Sequence, residues 1–130
     1  MAQDLLQQLA LALYGRLNEA VYLERAKARV GPWEPQMHYC HENVRDWVKY
    51  NPQHKHVFGF VFFDLSRFGY VEFQPHSVIE MEDGTLVDIT PHQASDDYPF
   101  LRHTGSDDEF AAAAAVMRLR LNVCDLSMRR

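Results

Sequence analysis

The stretch PQMHYCHENVRDWVKY, residues 35–50, sets one cysteine, Cys40, close to His38 and His41, just before an apolar rhythm. Val44, Trp47 and Val48 follow Cys40 at helical spacing, and the pattern stops at YNPQ. A thiol in the first turn of a helix feels the positive end of the peptide dipole and can approach unpaired backbone amides. Both favour the thiolate, which attacks carbonyl carbon where a thiol does not. Cysteine is also among the most buried residue types, and Cys40 shares a helix face with Val44 and Trp47, so inert packing competes with the nucleophile reading.

The balance shifts at HSVIEMEDGTLVDITP, residues 76–91. His76 falls in one expected strand and Asp88 in the next, joined by a turn at Asp83–Gly84. A base on one strand, oriented by a carboxylate on its neighbour, is what a cysteine–histidine pair needs. The histidine takes or shares the thiol proton, later protonates the leaving group, and is held in one tautomer by the acid. Both residues interrupt apolar strands, where a buried polar group without a partner is costly, so they point to a pocket or a satisfied network. A two-residue turn at Asp83–Gly84 sets Asp88 opposite Ile79 and His76 opposite Pro91. Strict alternation then places His76 and Asp88 on opposite faces. They meet if a bulge or a longer turn shifts the register by one, and Pro75 marks one place for such an irregularity.

Metal chemistry is the rival. His38, Cys40 and His41 cluster, with His54, His56 and His76 beyond, and zinc accepts nitrogen and sulfur ligands. The spacing fits no standard zinc template, and consecutive residues of a helix project about 100° apart. His54 and His56 flank Lys55 in what reads as a polar, solvated turn. Trp33, Trp47, Tyr39 and Tyr50 bracket the cysteine and could wall a groove, although aromatic residues so close in sequence are more often core.

These side chains need a frame. Residues 4–29 carry Leu5, Leu6, Leu9, Leu13, Leu17 and Val21 near helical spacing, which predicts one long helix, bent near Gly15 and closed by VGPWEP. Residues 56–65, 70–81 and 85–90 are rich in β-branched and aromatic residues and read as strands, whereas 91–104 read as irregular. Ser106 and Glu109 form a capping box for a last helix. Asp107 and Asp108 suit its positive end, and Arg118 and Arg120 suit its negative end. The expectation is an α+β domain with helices packed on one side of a small, mostly antiparallel sheet.

The chain has 130 residues, 47% hydrophobic and 24% charged, in keeping with one domain spanning residues 1–130 and one core. A net charge of −5 argues against a nucleic-acid footprint, the only basic run being Arg118, Arg120, Arg129 and Arg130. No stretch approaches the ~20 apolar residues that cross a bilayer. Asp4, Gln7 and Gln8 interrupt the N-terminal apolar run, which therefore does not read as a secretory signal. The expectations are a cytoplasmic protein, no nucleic-acid or membrane partner, and reduced thiols at Cys40 and Cys124.

A cysteine opening a helix, a histidine on a strand and an acid after a DG hairpin together resemble the papain-like superfamily in its small bacterial forms. The pattern is similar to the transglutaminase-like proteins and the bacterial cell-wall endopeptidases. The His-Ala-Trp and Asp-Pro-Thr stretches of the former correspond to HSV at 76–78 and DIT at 88–90. Ser77, Val78 and Ile89 depart from that pattern, and the resemblance covers only residues 36–91. It implies a papain-like core with Cys40 as nucleophile, His76 as base and Asp88 as orienting acid. It also implies a thioester route for hydrolysing, deamidating or transferring a peptide, amide or ester substrate without a cofactor. The oxyanion donors would be the backbone amides of Cys40 and His41 and a side chain upstream, with Gln36 preferred over His38 or Tyr39. Two other readings stand beside it. One is a non-catalytic binding or assembly module on the same frame, pairing as a homodimer through the N-terminal helix. The other is a zinc-supported structural domain.

Overall fold

The structure, a computed structural model, describes residues 2–91 and 98–127. Helix α1 (Ala2–Gly15) leads through a short 3-10 turn (Leu17–Glu19) to strand β1 (Glu24–Arg25). Helix α2 (Cys40–Tyr50) precedes two long strands, β2 (Lys55–Leu65) and β3 (Tyr70–Glu80). Then come β4 (Leu86–Asp88), β5 (Phe100–Arg102), helix α3 (Asp107–Val116), β6 (Leu119–Asn122) and the short α4 (Val123–Ser127). Among the described residues the order β1-β4-β3-β2-β5, with β6 also on β3, makes one six-stranded sheet. It is antiparallel throughout except where β1 runs parallel to β4, so the sheet is mixed. The composition is α+β, as the sequence predicts.

β2 and β3 pair without a bulge from Lys55↔Glu80 to Leu65↔Tyr70, and this unbroken register sorts their side chains onto two faces. One face carries Phe58, Phe60, Phe62, Val71, Phe73, Ser77 and Ile79. Ala10 and Leu13 of α1 and Phe110 and Ala113 of α3 pack on its Phe60–Phe73 end. Val44 of α2 packs on Ile79 at the other end. The helices therefore share this side. On the apolar stripe of α1, Ala10 and Leu13 are buried against the chain's own sheet, Leu6 and Leu9 are partly buried, and Leu5 is exposed.

The opposite face carries Val57, Gly59, Val61, His76 and Val78, and the segment after α1 covers part of it. Val21 bridges Phe100 on the β5 edge, and Glu24 pairs with Val87 on the β4 side. Leu23 between them packs with Val57, Val78 and Phe100. The long helix expected to residue 29 thus stops at Gly15. The apolar residues that continue its rhythm serve a strap instead, because this face would otherwise be left in water. Phe100–Arg102, expected to be irregular, is the edge strand β5. Of the expected irregular stretch, 92–97 lie outside the described residues. Arg120 lies not at a helix end but on β6, where its guanidinium holds buried Glu72 at 2.7 Å.

One feature of the sheet matters for chemistry. On the side away from β2, β3 pairs with β6 at Tyr70–Phe73 and with β4 at Ile79–Glu80. Among the described residues no strand occupies that edge between them, from Gln74 to Val78. Pro75 sits in this gap. Even-numbered β2 residues bond toward β5, as Phe58 O with His103 N and Phe62 N with Pro99 O do. Pro75, opposite Phe60, therefore turns its nitrogen away from β2 and leaves no ladder bond unmade. It tolerates the strand and does not mark a bulge.

Candidate functional site

The N-terminus of α2 meets the gap. Cys40 is hydrogen-bonded through its side chain to His76, and His41 Nδ1 lies 2.6 Å from Ser77 Oγ. His76 and Ser77 are consecutive on β3 and project to opposite faces. A helix terminus can reach both only by straddling the strand's unpaired edge. Here the two consecutive helix residues, diverging by about 100°, reach around either side of one strand.

His76 meets Asp88 because the hairpin is one residue longer than expected. Met81 N–H bonds Thr85 O and Gly84 N–H bonds Met81 O, both at 2.9 Å, leaving a three-residue loop, Glu82–Gly84. Gly84 supplies the left-handed residue at φ +88°, the usual chemistry of such a loop. The register becomes Ile79↔Val87 and Glu80↔Leu86, one step from that of a two-residue turn. Asp88 moves to the face of Val78 and His76, and His76 Nε2 lies 2.9 Å from Asp88 Oδ2. The other carboxylate oxygen accepts Thr90 N–H at 3.1 Å, so the acid is held at both oxygens.

The electrostatics follow from these contacts. Burial pushes the Cys40 thiol up, but hydrogen bonds from His41 and His76 and the charge on both rings outweigh it, leaving its pKa at about 6. Burial alone would lower His76. The Asp88 hydrogen bond, the Cys40 hydrogen bond and the negative charge of both partners raise it to about 10. Near neutral pH the pair is therefore a thiolate beside an imidazolium. No side chain caps α2: its N-cap, Tyr39, makes no capping bond, as suits a helix end facing a cavity. Cys40, His41, His76 and Asp88 open onto a cavity of about 600 Å³ whose other walls include Leu23, Val61, Phe63 and Met117.

The loop before Cys40 is tied down by a residue that sequence reasoning passed over. Asn43 Oδ1 accepts Gln36 N–H at 2.9 Å, and Asn43 Nδ2 donates to Gln36 O at 2.7 Å. The same Nδ2 donates to Thr90 Oγ1 at 3.0 Å, linking the loop to the strand end that holds Asp88. Asn43 lies on the buried stripe of α2 with Val44, and a polar residue on an apolar stripe is the signal that could have exposed it. His38 turns the loop in the left-handed region, φ 72°, a conformation histidine visits more readily than most residues.

The other expected residues divide. Tyr39 and His38 line the cavity and are exposed. Gln36, the preferred oxyanion side chain, is engaged elsewhere: its amide donates to Glu34 O at 3.3 Å in an exposed loop, and Asn43 fixes the backbone on either side of it. Trp33 and Trp47 pack in the α2 core, with ring centroids 6.3 Å apart. His54 and His56 are not solvated turn residues. His54 is buried and accepts Trp47 Nε1–H at 2.9 Å, and His56 stacks on Phe58 at 4.0 Å. Among the described residues no three histidine, cysteine, aspartate or glutamate side chains converge to hold a metal. Cys40 and Cys124 form no disulfide, and no helix among the described residues is long and apolar enough to cross a membrane.

No protein-family model matches this chain, no curated protein matches it, and no solved structure matches it. The functional reading therefore rests on the geometry alone.

Proposed function

We propose that this protein is a thiol-dependent acyl-transfer enzyme, acting on an amide or ester through a Cys40 thioester with His76 as acid–base and Asp88 as its orienting acid. The observation that carries the reading is the relay in which the thiol bonds His76 and His76 Nε2 meets Asp88 Oδ2 at 2.9 Å. The Cys40 thiolate adds to the carbonyl carbon, and the oxygen takes the negative charge beside the backbone amides of Cys40 and His41. As the tetrahedral species collapses, the C–N or C–O bond breaks and the His76 imidazolium gives its proton to the departing amine or alcohol. Water or an amine then attacks the thioester, His76 accepts its proton, and the thiolate leaves. Asp88 keeps the ring's other nitrogen protonated and stabilises the imidazolium throughout. A papain-like, transglutaminase-like frame is part of this proposal. Its support is the order of a helix-start nucleophile, a strand base and an acid on the adjoining strand.

The test is iodoacetamide alkylation from pH 4 to 9, read at each cysteine by mass spectrometry. Cys40 should react half-maximally near pH 6 and outpace Cys124 at pH 6–7. Equal rates at the two cysteines in that range would end the proposal.

A further inference from the structure

Ser77 is fully buried on the helix-covered face, and its hydroxyl lies between two imidazoles: His41 Nδ1 at 2.6 Å and His56 Nε2 at 2.9 Å. A hydroxyl has one proton, so it donates to one ring and accepts from the other. Burial, then the charges of His41 and Arg45, hold His56 down to about 4, so that ring is neutral near pH 7 and carries a single ring proton. The His41 side chain also bonds the Cys40 sulfur, and with Nδ1 committed to Ser77 the nitrogen left for that bond is Nε2. A lone pair facing a thiolate would repel it, so Nε2 carries hydrogen. The serine proton can lie toward either ring, and in both arrangements His41 Nε2–H is the hydrogen that faces the Cys40 sulfur.

We propose that the His41 imidazole, oriented by the Ser77–His56 pair, is the side-chain donor to the carbonyl oxygen when Cys40 attacks a substrate. It takes the place expected for Gln36, which bonds Glu34 O instead. The ring is held before any substrate arrives. Phe110 meets it edge-on at 5.7 Å, Ser77 fixes its Nδ1, and His56 stacked on Phe58 backs the serine. A donor fixed in advance needs no reorganisation as charge develops, the condition under which such groups lower barriers most. His41 also lines the cavity beside Cys40 and His76, where the carbonyl must sit. His41 is thus a catalytic residue, and Ser77 and His56 are positioning residues acting through it.

This inference rests on the acyl-transfer reading, and the experiment separates the two. In a Cys124→Ser background, iodoacetamide alkylation forms an S–C bond and expels iodide with no oxyanion. Acylation by p-nitrophenyl acetate places negative charge on the carbonyl oxygen before p-nitrophenolate leaves. Both rates scale with the thiolate fraction, so their ratio at one pH cancels any change in the thiol pKa. His41→Ala should lower the acylation-to-alkylation ratio about a hundredfold. His41→Gln, which keeps a donor, should recover part of it, and Ser77→Ala should lower it several-fold. A His41→Ala ratio within about twofold of the parent, even with both rates reduced, would overturn the assignment. If His41→Ala does not fold, Ser77→Ala decides, and an unchanged ratio there overturns it equally. A parent whose Cys40 lacks enhanced alkylation would instead fail the acyl-transfer reading, and this inference with it.

Discussion

The site turns on the state of a single proton shared by Cys40 and His76, and Asp88 decides where that proton rests. Asp88→Asn tests this cleanly. The amide oxygen can still accept Thr90 N–H, while its NH2 group would face His76 Nε2 and favour the wrong tautomer. The thiol should then climb from about 6 toward an ordinary value near 8.5. Alkylation of Cys40 at pH 6 should fall by about tenfold or more, with little change at pH 9. A profile still centred near pH 6 would show that the acid does not govern the pair. Cys40, His76 and Asp88 were legible as residue types because chemistry constrains them. Asn43 and Ser77 were not, because a buried amide or hydroxyl acquires its role only from the partners that folding brings to it.

Among the elements, the long β2–β3 pair is the scaffold, and a glycine within it shapes the site. Gly59 lies directly opposite His76, and the ring of Phe100 occupies the space its missing side chain leaves. A Cβ at Gly59 would collide with that ring and with the carbonyl oxygen of Leu101, which as backbone cannot swing aside. Phe100 in turn stands edge-on to His76 at 6.4 Å. Gly59→Ala should cost about 1–3 kcal/mol in urea denaturation and move the Cys40 alkylation profile with it. An unchanged midpoint would show that the strand yields more easily than the packing suggests. The strands were readable from their β-branched and aromatic residues to within one residue at most ends for β2 and β3, because both are long and hydrogen-bonded along their whole length. The stretch from 16 to 29 was misread, because helical spacing there serves a strap whose true partners, Phe100 and Val87, lie far away in sequence. β5 was missed for the same reason: three residues become a strand only when β2 lies alongside them.

At the scale of the whole molecule, stability is linked to the same titration. His76 has its folded pKa raised from 6.5 to about 10, chiefly against burial by the Asp88 hydrogen bond. A raised base contributes its full stability below pH 6.5, and the contribution drains away as pH climbs toward 10. Cys40 has the opposite sign, its contribution being present above 9.0 and lost as pH falls through about 6, so the two largely offset between these limits. A Cys40→Ser background removes the thiol and exposes the His76–Asp88 part. In that background, the stability lost on His76→Gln should be greatest below pH 6.5 and shrink steadily toward pH 9. Guanidinium denaturation at several pH values would measure it, and a gap that widens with pH would contradict the raised imidazole.

By itself the sequence determined the local matters: a helix beginning at Cys40, two long strands, a turn containing Asp83 and Gly84, a capped last helix, and the trio Cys40, His76 and Asp88. Each follows from spacing, propensity or side-chain chemistry within a few residues. Only the tertiary structure decided whether that trio meets. A loop of three residues in place of two put Asp88 on the face of His76, because side chains on a strand alternate and a single step exchanges the faces. The gap between β4 and β6 then admitted the end of α2, letting Cys40 and His41 reach either side of β3. Both outcomes depend on which distant segments pair and where their pairing stops, and no short window of sequence carries that information.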